Sequence, residues 1–158
     1  MLTRDDVIGM IANLQSFRDR DLSGLDLSGL NFTGLDLLRA NLSGANLSGA
    51  RLLGAVLSGA NLTHAILIGA NLTRARLVGA NLTDVDLTGA NLSWTVLTRT
   101  NLTGANLTGA ILKGADLSWA ILEGVNLTGA NLTGAILGGA NLTGANLTDT
   151  ILPKGFRK

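Results

Sequence analysis

The sequence predicts an all-β solenoid: short extended segments joined by tight corners and stacked coil upon coil. Three observations predict it. Leucine, with phenylalanine once at Phe32, recurs at every fifth residue from Leu22 to Leu152, twenty-seven positions without an insertion. Two residues before most of them stands a second small or apolar residue, such as Ala40, Ala45, Ala50, Ala60 and Ala130, with Leu25, Leu30, Leu35 and Val85 as variants. Asn or Asp often precedes the leucine, Ser or Thr follows it and Gly comes next, so the unit reads Ala-Asn-Leu-Thr-Gly. A period of five matches neither an amphipathic helix nor a simple alternating strand. Two apolar positions in each five suit an extended segment with two inward side chains, and glycine among polar neighbours suits a corner. Repeated corners close the chain into a coil, and stacked coils bury a continuous interior.

The elements follow in chain order. Thr3 to Gln15 reads as a short helix: Thr3 suits the N-cap, Asp6 stands three residues on as in a capping box, and Asp5 suits the positive end of the helix dipole. Val7, Ile8, Ile11 and Leu14 form one apolar face that would lie on the first coil. The organisation is therefore a helical cap over residues 1–19, the repeat array over 20–154 and a tail over 155–158. Phe17 already shares the leucine phase. Ile151, Leu152, Pro153 and Phe156 close the last, incomplete coil, either as a cap or as a contact with a second copy of the chain.

The residues that carry this reading, among them Ala40-Asn41-Leu42-Ser43-Gly44 and Ala130-Asn131-Leu132-Thr133-Gly134, resemble the pentapeptide-repeat family. In its leucine-rich style the chain is similar to bacterial and cyanobacterial members. The resemblance covers roughly residues 20–154. It implies a right-handed quadrilateral β-helix with four pentapeptides to a coil, the Leu/Phe and Ala positions inward and the other three outward. Twenty-seven repeats then make about seven coils, a rod about 30 Å long at roughly 4.8 Å per coil.

Composition excludes most chemistry. The chain has 158 residues, no cysteine and one histidine, with 15% charged residues, 3% aromatic residues and a formal net charge of +1. Without cysteine there is no disulfide and no thiolate ligand. His64 stands at an outward corner as a substitute for glycine, and Asp84 and Asp86 flank a repeat boundary on the surface. No second histidine supports a metal site, and no set of acids matches a calcium loop. The glycines keep the five-residue period instead of gathering before a helix, so no phosphate loop is read. No catalytic, cofactor-binding or metal-ligating residue is therefore assigned. Thirteen Asn-x-Ser/Thr sequons, at 31, 41, 46, 61, 71, 81, 91, 101, 106, 126, 131, 141 and 146, fall out of the repeat itself. With no basic leader and no apolar run long enough to span a bilayer, a cytoplasmic protein is expected, and neither membrane nor nucleic acid is an expected partner.

With four repeats to a coil, residues twenty apart stack and the outward positions sort by face. Faces one to four contain residues 20–24, 25–29, 30–34 and 35–39 and their stacked equivalents. Faces one and two carry Asp21, Asp26, Asp84, Asp86, Glu123 and Asp149 against Arg20 alone. Faces three and four carry Arg39, Arg51, Arg74, Arg76, Arg99, Lys113 and Lys154 against Asp36 and Asp116. Outward apolar residues gather on the basic side, including Leu38, Leu53, Val56, Val78, Val96, Ile111, Ile136 and both tryptophans, Trp94 and Trp119. Arginine, tryptophan and aliphatics on one side are what an interaction surface is made of. The expected function is a scaffold that binds a protein through Arg39, Arg51, Arg74, Arg76, Trp94, Arg99 and Trp119. The alternative that the resemblance implies is DNA mimicry with binding to DNA gyrase or another type II topoisomerase, as in the quinolone-resistance members, whose greater acidity and central phenylalanine this chain does not share. A more remote alternative is an ice-binding solenoid, from the threonine columns Thr63, Thr83, Thr103 and Thr88, Thr108, Thr128.

Overall fold

The computed structural model describes residues 2–156; Met1, and Arg157 and Lys158 at the end of the 155–158 tail, lie outside the described residues. The chain is a right-handed quadrilateral β-helix preceded by one short helix. Parallel bridges link each residue before a leucine to its counterpart twenty residues on, from Asp21 with Asn41 to Asn131 with Ile151, which fixes four repeats to a coil. Within a coil every corner is a tight turn, as where the Leu42 carbonyl accepts the Ala45 N–H at 3.0 Å. Between coils, the Leu42 and Gly44 N–H groups donate to the carbonyls of Asn61 and Thr63, while Ala40 accepts from Asn61. The ladder thus runs along the rod axis, and the residue types at each position repeat because their surroundings do.

The interior is filled by two inward side chains from each repeat, stacked from coil to coil. Leucines from Leu22 to Leu132 are buried, and so are the alanines from Ala40 to Ala135 that alternate with them. Burying one leucine is worth about 1.5–3 kcal/mol, so the column stabilises the array only because every coil adds four. Phe17 enters the first coil: it is fully buried, its N–H donates to Asp36, and its ring meets Phe32 edge-on with centroids 5.6 Å apart. Coil pairing therefore begins ahead of the residue-20 boundary read from the leucine register.

Helix α1 spans Arg4–Ala12 and covers the N-terminal end. Its capping box is formed: Thr3 Oγ1 accepts the Asp6 N–H at 3.2 Å, and the Asp6 carboxylate accepts the Thr3 N–H at 2.7 Å. Arg4 fastens the helix to the rod, its guanidinium donating to the carbonyls of Asp26 (2.6 Å) and Ser28 (3.0 Å). Two sequence expectations fail here. The helix stops before Gln15, because the Asn13 side chain donates to the Gly9 carbonyl at 2.8 Å and Leu14 turns to φ 52°. Leu14 is consequently 80% exposed, and Ile8 also faces solvent, while Leu2, Met10 and Ile11 join Val7 over the core. At the other end no further coil covers the last one among the described residues, and Leu137, Leu142, Leu147 and Leu152 are half-buried.

The Asn-x-Ser/Thr pattern has a local cause. Each Asn or Asp before a leucine turns its Oδ1 back onto the residue after it: Asn81 accepts both the N–H (3.1 Å) and the hydroxyl (2.7 Å) of Thr83. Several of these side chains also bond to the coil below, as Asn126 Nδ2 does to Thr108 Oγ1 at 3.1 Å. The threonine columns proposed as an ice-binding face thus spend hydroxyls on this local bond; Thr108 and Thr128 do so with Asn106 and Asn126.

Candidate interaction surface

Each corner places one residue at positive φ, and glycine holds most of these places, with φ between 62° and 71° from Gly24 to Gly144. Nine corners are not glycine: Asp19, Arg39, His64, Arg74, Asp84, Trp94, Arg99, Trp119 and Asp149, all with φ between 52° and 59°. A left-handed conformation costs an L-residue roughly 1–2 kcal/mol and is a genuine outlier for a bulky one. Five of the seven residues assigned to the partner surface, Arg39, Arg74, Trp94, Arg99 and Trp119, stand at these places.

Four of the non-glycine corner side chains, those of Arg39, Asp84, Trp94 and Trp119, lie against the glycine twenty positions on. Trp94 lies against Gly114, where an added Cβ would collide with the indole Cε3, and Trp119 lies against Gly139 in the same way at 2.5 Å. Each indole thereby rests on bare backbone and keeps the rest of its surface in solvent, with Trp94 63% and Trp119 65% exposed. Arg74 stacks one coil below Trp94, and Arg99 one coil below Trp119.

The strain is reinforced from within. Threonine replaces the inward alanine at Thr95, Thr100 and Thr150, and each follows a non-glycine corner. Thr95 Oγ1 donates to the Leu92 carbonyl of its own turn at 2.6 Å, and Thr100 Oγ1 donates to Leu77 on the coil below at 2.8 Å. Both hydroxyls are buried, so they tie down the corners that carry Trp94 and Arg99 without leaving a polar atom unpaired. Sequence reasoning overlooked these threonines and the two supporting glycines. The signal was present, since threonine enters the alanine column only after a non-glycine corner, and glycine returns twenty residues after each tryptophan.

The structure divides the assigned arginines. Arg39 forks onto Asp19, with Nε to Oδ1 at 2.7 Å and Nη2 to Oδ2 at 2.9 Å, and this bond holds the Asp19 carboxyl below its usual range. Arg4 and Arg18 are likewise paired, with Asp26 and Asp36. Among the described residues no carboxylate stands within salt-bridge distance of Arg51, Arg74, Arg76 or Arg99. Arg74, Arg76, Trp94, Arg99 and Trp119 come together around face four over successive coils, with Val78, Val96 and Ile136 on the face between the two corners. Arg51 lies one coil earlier on face three, and Arg39 further toward α1. Ile151, Leu152 and Phe156 lie apart at the far end, Ile151 54% exposed and the other two half-buried.

His64 and Asp84 stack at another corner, Nδ1 to Oδ2 at 3.9 Å, both exposed. Among the described residues no group of three His, Cys, Asp or Glu side chains could hold a metal ion, and no helix is long and apolar enough to cross a membrane.

A family model described as pentapeptide repeats matches the chain in four overlapping stretches, 16–49, 40–77, 75–114 and 110–149. The chain is similar to HetL, a pentapeptide-repeat protein involved in heterocyst differentiation regulation in the cyanobacterium Nostoc sp. strain PCC 7120. The identity is 37% over 89% of this chain and 76% of that one, with a TM-score of 0.43. A pentapeptide-repeat protein of the Arabidopsis thaliana thylakoid lumen is 37% identical over 70% of this chain and 67% of that one, with a TM-score of 0.34. QnrB1, a plasmid-mediated fluoroquinolone resistance protein, is 18% identical over 82% of this chain and 84% of that one, with a TM-score of 0.44. No curated protein matches the chain.

Proposed function

The chain belongs to the pentapeptide-repeat family, and from that premise we propose that it is a non-catalytic cytoplasmic scaffold that holds a protein partner on face four. The observation that carries this reading is the location of strained residues. Glycine would fill every corner at no steric cost, yet Arg74, Trp94, Arg99 and Trp119 occupy four corners bordering one face. Residues held in sparsely populated conformations persist where the surroundings over-determine them and gather at functional sites. Here Thr95, Thr100, Gly114 and Gly139 supply those surroundings. The side chains so displayed are the types that dominate protein interfaces, tryptophan and arginine above all.

The test is affinity capture from the source cell with the wild-type protein and with the triple variant Arg76→Ala, Trp94→Ala, Trp119→Ala. At least one captured protein is expected to disappear with the variant. Retention of every captured protein would sink the reading. A second contact is proposed at the last coil, where Ile151, Leu152 and Phe156 offer apolar surface to another copy of the chain. Sedimentation equilibrium decides it, and a monomer at every concentration would remove that contact. The acidic faces one and two leave the topoisomerase alternative one clear readout: purified gyrase should supercoil DNA at an unchanged rate in the presence of this protein.

A further inference from the structure

The two corners that border face four hold the same arrangement. Arg74, Trp94 and Gly114 form one column, and Arg99, Trp119 and Gly139 form another. All three members are offset by the same twenty-five residues, which is one coil along the rod and one corner around it. The residue before each tryptophan matches too, Ser93 and Ser118. In both columns an arginine without a carboxylate among the described residues lies beneath an indole pressed on a glycine of the next coil.

We propose that these columns are two equivalent half-sites, and that together they bind an extended acidic polypeptide segment whose carboxylate–apolar pairs recur every three to four residues. The proposal rests on the reading of face four as a partner surface and names the partner's chemistry.

Three features of the surface select this occupant. The first is charge. Arg4, Arg18 and Arg39, toward α1, have carboxylate partners, whereas Arg74, Arg76 and Arg99 are exposed and have none among the described residues. A guanidinium matches a carboxylate with two parallel hydrogen bonds, and the adjoining indole offers apolar surface to the neighbouring side chain. The second is spacing. A face is about 10 Å wide at roughly 3.3 Å per extended residue, and coils are about 4.8 Å apart, so the two tryptophan corners lie about 11 Å from each other. An extended peptide covers that span in three to four residues.

The third is what the face withholds. Its main chain is already paired between coils: the N–H groups of Leu97 and Arg99 donate to Asp116 and Ser118, and Asp116 donates to Thr95. A ligand therefore cannot add as another strand and must be read by side chains. Asp116 stands on the face between the two half-sites, its carboxylate held by the N–H and hydroxyl of Ser118. A nucleic acid crossing from Trp94 to Trp119 would bring phosphates past this carboxylate. A peptide with acids only at the two ends places neutral residues there.

The two tryptophans are the whole tryptophan content and there is no tyrosine, so the protein's intrinsic emission reports on this site alone. The probe is a synthetic peptide of Glu-Leu pairs separated by two serines. Comparison probes are the same peptide with glutamine for glutamate, one with pairs separated by six serines, and a thymidine oligonucleotide of equal length. Saturable blue-shifted emission with the first peptide is expected, weakened about tenfold or more with the glutamine and wide-spaced peptides. With a fluorescent label on the peptide, anisotropy should show a similar loss for Arg74→Gln with Arg99→Gln, and a smaller one for Trp94→Phe or Trp119→Phe. Far-UV circular dichroism of each variant establishes that the coil is intact. Equal binding of the glutamate and glutamine peptides, tighter binding of the oligonucleotide, or no emission change up to peptide saturation would each overturn the proposal. The outcome separates from that of the scaffold reading. A cellular partner lost with the triple variant but not displaced by the glutamate peptide keeps the surface and removes the acidic ligand. Peptide binding without any such partner does the reverse.

Discussion

At the scale of single residues, the corner glycines are not equivalent. Gly129 at φ 66° would accept a Cβ with nothing within 4 Å, whereas at Gly139, φ 71°, the same atom would meet the Trp119 ring at 2.5 Å. Both Gly129→Ala and Gly139→Ala are expected to lower stability by about 1–2 kcal/mol through left-handed strain. Only Gly139→Ala should also displace the indole, seen as altered tryptophan emission in the folded protein. Equal emission from the two variants would mean that Trp119 does not rest on Gly139. The reverse change relieves strain: Arg74→Gly is expected to raise the unfolding free energy in denaturant by about 1 kcal/mol while weakening the partner. That is the behaviour of a residue kept for binding at a cost in stability.

At the scale of the element, many coil corners are set by an acceptor that is asparagine or aspartate, interchangeably. Asp116 Oδ1 accepts the Ser118 N–H at 2.9 Å just as asparagine does elsewhere. Because these bonds favour the ionised form, hydrogen bonds from Ser118 hold the Asp116 carboxyl below the usual carboxylate range. Asp21 is lowered by Ser23, Asp26 by Ser28 and Asp36 by the Leu38 N–H. A carboxyl depressed in the folded state contributes stability that is fully present above its unfolded pKa and is lost as pH falls through the folded value. The melting temperature is therefore expected to hold steady down to about pH 4 and to fall below it. In Asp116→Asn the acceptor survives without the titration, so the variant should match wild type at neutral pH and lose less on acidification. A variant that melts much earlier at neutral pH would show that the charge, not the acceptor, shapes this corner. At α1 the capping box was legible because Thr3 and Asp6 are three residues apart, while the early stop was not. Asn13 bonding back to Gly9 and Leu14 turning to positive φ are choices between local conformations that an apolar period does not report.

At the scale of the whole molecule, every repeat is the same unit facing a different side, so position around the rod is set by counting residues. Inserting one Ala-Asn-Leu-Thr-Gly unit after Gly104 keeps the leucine and alanine columns in phase and leaves a glycine above each tryptophan. It also turns Trp119 a quarter of the way around the rod, away from face four, while Trp94 stays. The insertion is expected to leave the melting temperature close to wild type and to abolish binding on face four. Undiminished binding would mean that the two corners do not act together. In the middle of the stack, Leu107→Ala removes a fully buried side chain between packed coils and should cost about 2–5 kcal/mol, measured by denaturant unfolding.

The sequence by itself determined the coil, its two inward columns and the separation of acidic from basic sides, because all of these follow from a five-residue period in which every unit buries the same two positions. It also marked Trp94, Trp119 and the arginines as outward. The tertiary structure decided which of them come together. Arg39 is spent on Asp19, Arg51 stands apart, and Arg74, Arg76, Arg99 and the two indoles frame one face. The reason is physical. A corner side chain such as Trp94 or Trp119 lies against the residue twenty positions away, so its partner, its strain and its exposure depend on how the coil closes, and no single repeat contains that information.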